Sequence, residues 1–429
     1  MRVCVVGLGK IGLPLAVQIA SKGHEVIGAD IDPDVVAMVG KGQPPFLGEA
    51  GLAERLRAAV DAGHLAAATD TTAAVREAEV VIIVVPLVVD ARARPDYAAL
   101  DAATEAVGAG LRANALVSYE TTLPVGTTRT RLAPALAAAS GLELGITLFV
   151  CHSPERVSTG RVFADLRRYP KLVGGLEPLG AARAVAFYTA ALDFDPRPDL
   201  DRPNGVWDLG SAEAAELTKL VETTYRDVNI GLANTFARFA DRAGVDVHAV
   251  IAAANSQPFS HVHSPGIAVG GHCIPVYPHF YLAGDPDGRI LAAARQVNED
   301  MPAYAVGRLT GHLGGLAGLR VAVLGAAYRG GVKQTAFSGV FPLVAALTAH
   351  GAYPVVHDPL YDDDELRALG LTPYRLGQPI DAAIVHTDHS EYRTIGPEHL
   401  PGARALLDGR AITDPNRWRG LSRIVLGAG

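Results

Sequence analysis

The stretch Val-Gly-Gly-His-Cys-Ile-Pro-Val-Tyr-Pro, residues 269–278, sets one of only three cysteines between two glycines and two prolines. Such a composition suits neither a helix interior nor a central strand, so Cys273 is expected in a loop. The plain reading is a buried cysteine serving as a small hydrophobe, and the residues alone leave open why it stands in such a loop. A second constellation opens the chain, where Gly7-x-Gly9-x-x-Gly12 follows the apolar run Arg2–Val6. The first glycine permits a tight turn, the second lets backbone approach a pyrophosphate, and the third lets a helix pack close to the sheet. Asp30 ends the next apolar run, 18 residues beyond Gly12. A carboxylate there can accept a ribose 2′-OH and repels a 2′-phosphate, which favours NAD over NADP. Asp32 is the other candidate for that role.

These residues need elements to hold them. The first 155 residues read as strands alternating with helices: apolar runs at 80–86, 115–122 and 146–155 are separated by helical stretches such as 97–109 and 129–139. That alternation predicts a doubly wound parallel sheet, whose ligands sit at the carboxyl ends of the strands. Those ends carry Pro86, Thr121, Thr122 and Glu155. Residues 211–244 read as one helix, with Ser211 suited to its start and Gly244 to its end. About 30 residues span roughly 45 Å, enough for a spine joining domains or subunits. Leu217, Val221, Val228, Leu232, Phe236 and Phe239 form an apolar stripe along it, while Lys219, Thr223 and Arg226 fall on another face. An ordinary solvated lysine is the plain reading of Lys219.

The segment "RVAVLGAAYRGG" (320–331) repeats the pattern of the N-terminus, and "YPVVHDP" (353–359) repeats that of the second strand. The turn keeps Gly325 but lacks the later glycines, so this second unit is not expected to hold a dinucleotide pyrophosphate. The expected architecture is α/β, with two Rossmann-like doubly wound domains joined by a long central helix. The boundaries fall at 1–203 for the NAD-binding domain, 204–312 for a central helical and dimerisation segment with the cysteine loop, and 313–429 for the C-terminal domain.

Composition excludes several classes. Apolar residues make up 49% of the 429 positions, and the net charge is −7. That balance argues against nucleic-acid or anionic-membrane partners. Three cysteines without a CxxC pair give neither a disulfide framework nor a zinc site. His261, His263 and His272 lack acidic or thiolate neighbours at ligand spacing, so no metal is expected. No apolar run reaches the length of a membrane span, and "MRVCVVGLG" starts directly as a strand without a secretory signal, so a cytoplasmic location is expected.

Taken in order, "GLGKIGLPLA", "ETTLPVGTT" (120–128), "SPERVSTGR" (153–161), "KLVGG" (171–175), "SAEAAELTKLVETTYRDVNIGLAN" (211–234), "PGIAVGGHCIPV" (265–276), "LGAAYRGGV" (324–332) and "LDGR" (407–410) resemble the UDP-glucose, UDP-N-acetylmannosamine and GDP-mannose dehydrogenases. The resemblance covers nearly the whole chain, and "SPERV", "TYRDVNI" and "GGHCIPV" look most like the UDP-N-acetylhexosamine branch. It implies NAD-dependent, four-electron oxidation of a sugar C6 alcohol to a uronate, with Cys273 forming a thiohemiacetal and then a thioester. It implies an oxyanion role for Lys219 and a water- or proton-handling role for Glu155. Thr122 and Thr223 complete the expected catalytic set. Gly7, Gly9, Lys10, Ile11, Gly12, Asp30, Pro86, Thr121 and Thr122 are expected at the cofactor. Glu155, Arg156, Val157, Lys219, Thr223, Gly270, Gly271, Arg329 and Arg410 are expected at the nucleotide sugar, Arg410 reaching a neighbouring subunit. A homodimer or higher oligomer is implied.

Departures from the family pattern gather around the ligands. Thr223 stands for the usual Asn, Tyr277 for an Asp that organises the lysine and water, and Phe259 for an Arg. Gln334-Thr335-Ala336-Phe337-Ser338 replaces Asp-Thr-Arg-Glu-Ser, and Pro86 lacks the usual following Thr. UDP-N-acetylmannosamine or UDP-N-acetylglucosamine is the first expectation for substrate, with UDP-glucose or a thymidine-diphosphate sugar as the alternative. A two-electron dehydrogenase has no use for Cys273. A catalytically silent binding protein draws its support from Tyr277 and Thr223.

Overall fold

The computed structural model describes residues 1–90 and 92–429. They form two compact units, Met1–Glu222 with His279–Gly284, and Thr223–Pro278 with Asp285–Gly429.

The first unit is built on an eight-stranded sheet. Its strands are β1 (Arg2–Val6), β2 (Glu25–Ala29), β3 (Leu65–Ala68) and β4 (Val80–Ile83); then, past a small hairpin of β5 (Val88–Val89) and β6 (Pro95–Asp96), come β7 (Ala115–Tyr119), β8 (Leu148–His152), β9 (Lys171–Gly175) and β10 (Val206–Asp208). The order is β10-β9-β8-β7-β4-β1-β2-β3. The six strands from β3 to β8 are parallel, as Rossmann topology requires. β4 and β7 are buried at every position, as expected for strands covered on both faces. All nine residues of the helix Gly12–Ala20 are buried, and Leu13 and Val17 share one core cluster with Leu52, Leu56 and Phe187.

The expected all-parallel sheet needs one correction, because β9 runs antiparallel to β8. A parallel return needs a crossover along the whole sheet. Between these strands the chain has only the "SPERVSTGR" loop and the seven-residue helix Val162–Arg168, about 10 Å long. The chain turns back at the carboxyl end of the sheet instead, and the Glu155 loop stays at that end.

The second unit holds β11 (Arg320–Leu324), β12 (Tyr353–His357), β13 (Ala382–Val385), β14 (Ala405–Asp408) and β15 (Ser422–Val425). They are all parallel, in the order β12-β11-β13-β14-β15, the other common doubly wound arrangement. Met301, Ala305 and Leu309 of the helix Arg289–Leu313 join Val321, Val323 and Leu343 in its core.

The 32-residue helix Ala212–Ala243 begins in the first unit and ends in the second. Ser211 Oγ accepts from Ala214 N–H at its start, and Gly244 adopts φ +67° at its end. Its polar positions Glu216, Lys219, Thr223, Asp227 and Asn234 are buried, whereas its apolar stripe is exposed except at the half-buried Val228, Val221 to 52% and Phe239 to 63%. The buried polar side chains have partners: Asp227 with Arg295 at 3.0 Å and Asn298 at 2.8 Å, and Asn234 with Asn298 at 2.9 Å.

Candidate active site

The sheet order of the first unit reverses between β1 and β4, so a crevice opens at their carboxyl ends. Gly7 lies there at φ +95°, and a Cβ on it would come 3.2 Å from the Val84 carbonyl carbon. A Cβ on Gly12 would fall 1.9 Å from the Gly7 carbonyl oxygen, so only glycine lets the helix start this close to the turn. A Cβ on Gly9 would meet no protein atom within 4 Å. No side chain caps the helix and no acid occupies its first turn. Its N-terminal N–H groups and dipole therefore face no internal anion, which fits a pyrophosphate beside Gly9, Lys10 and Ile11.

Asp30 follows β2 and fastens this turn. Its carboxylate accepts from Leu8 N–H at 2.7 Å and from Asp32 N–H at 3.0 Å. Asp32 instead caps the helix Pro33–Gly40 through Asp34 N–H. Of the two acids only Asp30 is bonded to the glycine turn. Pro86 is exposed beyond β4, and Thr121 Oγ1 donates to the Val85 carbonyl at 2.6 Å, tying the ends of β4 and β7 together. Thr122 is buried next to it.

Glu155 belongs to the loop after β8. Its backbone N–H donates to the Glu120 carbonyl at 3.2 Å. Its carboxylate accepts from Val157 N–H and lies 3.7 Å from Lys219 Nζ. Arg156 donates to the Pro170 carbonyl at 3.0 Å and pairs with Glu222 on the long helix. Its guanidinium thus clamps the loop to the helix that carries Lys219. A narrow cleft is lined by Ile11, Glu120, Glu155, Arg156, Val157 and Lys171, so the glycine turn and the Glu155 loop share one wall.

Two buried groups escape sequence reasoning. Glu120 pairs with Lys171 at 2.7 Å and accepts from Tyr188 O–H at 2.6 Å beneath the Glu155 loop. Burial drives the Tyr188 hydroxyl well above its ordinary pKa, so it remains a donor. Nearby, burial pushes His152 down to about 3, with Lys171 adding to the effect, so this histidine is neutral. The second group is Glu216, which accepts from Gly126 N–H at 2.5 Å, Thr128 N–H at 2.8 Å and Thr128 O–H at 2.6 Å. It fastens the loop after Thr122 to the long helix one turn before Lys219. The only sequence signal for these groups is charged residues inside otherwise apolar motifs.

In the second unit the cysteine segment crosses the carboxyl ends of the sheet. A Cβ on Gly409 would meet Ile267 at 2.1 Å, and one on Gly339 would meet Ala268 at 2.1 Å. A Cβ on Gly270 would meet Tyr328 at 2.6 Å and the Phe337 carbonyl at 2.9 Å. Gly271 has φ +91° and donates to the Ala336 carbonyl at 2.9 Å. The glycines therefore serve close backbone approach. Cys273 is half-buried, and its carbonyl accepts from Tyr277 N–H at 2.9 Å, opening the helix Tyr277–Gly284. Thr223 is buried one turn beyond Lys219 on the long helix.

The second glycine turn copies the first with one difference. Gly325 donates to the His357 carbonyl, as Gly7 donates to that of Ala29. Asp358 Oδ2, however, accepts from both Ala326 and Ala327 N–H, at 2.8 and 2.9 Å. An internal carboxylate thus takes the donors that a phosphate would need. Arg329 is exposed just beyond this turn. Arg410 Nε donates to the His386 carbonyl at 2.8 Å, and Nη1 would lie 2.8 Å from a Cβ on Gly266. Burial lowers its pKa, with Asp388 opposing. Within this structure Arg410 is anchored inside the second unit.

Comparison with known proteins agrees with this layout. Residues 1–192 match the NAD binding domain of the UDP-glucose/GDP-mannose dehydrogenase family, 213–300 its central domain, and 322–415 its UDP binding domain. A UDP-N-acetyl-D-mannosamine dehydrogenase of Pyrococcus horikoshii is 34% identical over 423 residues, covering 96% of both chains. A solved UDP-D-ManNAc dehydrogenase from Pyrococcus horikoshii matches with TM-score 0.89 at 32% identity, covering 100% of both chains. A UDP-glucose dehydrogenase from Pyrobaculum islandicum matches with TM-score 0.86 at 28% identity, covering 100% of this chain and 97% of that one. With the glycine turn and Glu155 in the matched NAD binding domain, and Lys219 and Cys273 in the matched central domain, the chain belongs to the UDP-glucose/GDP-mannose dehydrogenase family and is an NAD-dependent nucleotide-sugar dehydrogenase.

Proposed function

We propose that the chain oxidises C6 of a UDP-N-acetylhexosamine, UDP-N-acetylmannosamine or UDP-N-acetylglucosamine, to the uronate, with Cys273 as the nucleophile. The observation that carries the reading is the contrast among the three cysteines. Cys4 and Cys151 are fully buried in strands, where burial pushes both thiols up to about 12. Cys273 alone of the three is half-exposed, in a loop opening a helix. The sugar rests on the relatives' names and on the "SPERV" and "GGHCIPV" wording, since a UDP-glucose enzyme fits the fold nearly as well.

NAD, when bound by the Gly7–Gly12 turn and Asp30, supplies the acceptor for the two hydrides. Cys273 sulfur adds to the C6 aldehyde as a thiohemiacetal, which keeps it from escaping; loss of the second hydride turns this into a thioester, which water cleaves to the carboxylate with return of the thiolate. Lys219 stabilises the oxygen anions of these steps. Glu155 holds the water and takes its proton, the task to which Tyr277 brings no carboxylate. Glu155, Arg156, Val157, Lys219, Thr223, Gly270, Gly271, Arg329 and Arg410 are the proposed contacts of the nucleotide sugar. The exposed stripe of the long helix supports a homodimer, because a contiguous apolar patch in water marks an interface. Three cysteines without a CxxC pair suit the reducing cytoplasm.

The test is NADH formed per sugar by the wild type and Cys273→Ser against UDP-N-acetylhexosamines, UDP-glucose and thymidine-diphosphate sugars. Two NADH per sugar, reduced to one or none in the variant, is the expected result. Two NADH in the variant would overturn the nucleophile assignment.

A further inference from the structure

Gln334–Ser338, one of the stretches that depart from the family pattern, is the stretch against which the cysteine loop is built. Two bonds knit it to the second glycine turn: Tyr328 N–H to the Gln334 carbonyl at 3.0 Å, and Ser338 O–H to the Ala326 carbonyl at 2.7 Å. Toward the loop, the Ala336 carbonyl takes Gly271 N–H, and Phe337, at φ +49°, turns its carbonyl to Gly270. Phe337 also meets the His272 ring edge-on, with centroids 6.5 Å apart. Between these contacts Gln334 Nε2 stands 2.6 Å from His272 Nε2, next to Cys273 in the chain. The amide and the ring thus share one hydrogen bond, which the Gln334 amide can donate to a neutral imidazole.

We infer that Gln334 is a positioning residue for the nucleophile loop, acting through His272. The inference rests on the reading of Cys273 as the nucleophile. A loop rich in glycine has little stiffness of its own. The Gly271 amide fixes its entry, and the Gln334–His272 bond fixes the side chain immediately before the sulfur. His272 is exposed and Gln334 half-buried, so truncating either one removes no buried apolar side chain from the second unit.

The experiment is a double-mutant cycle on the full-length chain with Gln334→Ala, His272→Ala and the pair together. The first readout is the rate of alkylation by iodoacetamide, which reports Cys273 because Cys4 and Cys151 are fully buried. The second is kcat and NADH per sugar with a UDP-N-acetylhexosamine, at unchanged NAD affinity and melting temperature. Gln334→Ala should change the alkylation rate and lower kcat by about three- to tenfold, the scale of one net hydrogen bond. The change should vanish when His272 is already alanine, since the two act as one unit. Effects that add in the double variant, or rates within experimental error of wild type, would overturn the inference. Cys273→Ser run alongside separates the two failures: if that variant still makes two NADH per sugar, it is the nucleophile reading that falls.

Discussion

Lys219 Nζ lies 3.7 Å from Glu155 Oε2, and both side chains are largely withdrawn from solvent, at 7% and 13% exposure. The ammonium comes from a rigid helix and the carboxylate from a loop clamped to that helix through Arg156 and Glu222. This geometry keeps a positive charge and a proton acceptor side by side, which suits an oxyanion and an attacking water. Lys219→Ala should lower kcat by about 10²–10³-fold, the usual result of losing one oxyanion contact. Glu155→Gln should leave the early hydride transfers and slow hydrolysis, so stopped-flow traces should show an NADH burst followed by turnover about 10²–10⁴-fold slower. A variant without a burst, slow from the first NADH onward, would remove Glu155 from the hydrolytic step.

Glu216 is fully buried, and burial pushes its carboxyl up to about 7, against the pull of bonds from Thr128 and Gly126. The folded protein therefore keeps a proton that the unfolded chain releases near pH 4.5. Stability from this group is complete below pH 4.5, falls as pH rises, and is lost above about pH 7, a span of about 3 kcal/mol. Glu216→Gln removes the titration at the cost of the Gly126 bond. Urea unfolding at pH 5 and pH 8 should show the variant gaining on the wild type by about 2.5 kcal/mol at the higher pH. Parallel stability curves would refute the assignment.

The cofactor turn offers a sharper test of specificity. Asp30 holds both Leu8 and Asp32 N–H, so Asp30→Asn keeps one acceptor and loses the charge. The preference for NAD over NADP in kcat/KM should fall about tenfold or more, since two charges about 4 Å apart near a protein surface interact by ~1–4 kcal/mol. An unchanged ratio would mean that the 2′ position is read by another residue.

Local rules carry far in this chain. Gly7, Gly9 and Gly12 announce their turn because each answers a separate steric need, and Ser211 and Gly244 end their helix as cap chemistry demands. The repeat at Gly325 announces the second sheet, and the missing later glycines warn that its turn is different. The sequence does not reveal that Asp358 takes a second backbone donor in that turn, because the acid stands at the same place as Asp30, which takes only one. β9 stayed hidden since Lys171–Gly175 is short and ends in two glycines, and its direction depends on the length of the preceding helix. Lys171 and Glu120, or Glu216 and Thr128, are distant in sequence, and only the packed sheet brings them together. Periodicity located the stripe of the long helix but not which face is covered, and Lys219 proved to be on the buried side.

That inverted helix leads to the last expectation. A 32-residue helix that buries Glu216, Lys219, Asp227 and Asn234 while leaving Val221, Leu232, Phe236 and Phe239 exposed has its apolar face turned to water. Each such side chain contributes about 1.5–3 kcal/mol when fully buried, so a stripe of four or more is enough to drive association with a second copy. The wild type should sediment as a dimer or larger at micromolar concentration. Phe239→Asp together with Val221→Asp should shift it to monomer, because a charge set into an apolar contact must be desolvated without a partner. The buried polar face has its own partners within the chain, so the melting transition of the monomeric variant should still be cooperative. A wild-type protein that sediments as a monomer at these concentrations would mean that the stripe meets something other than a second copy of this chain.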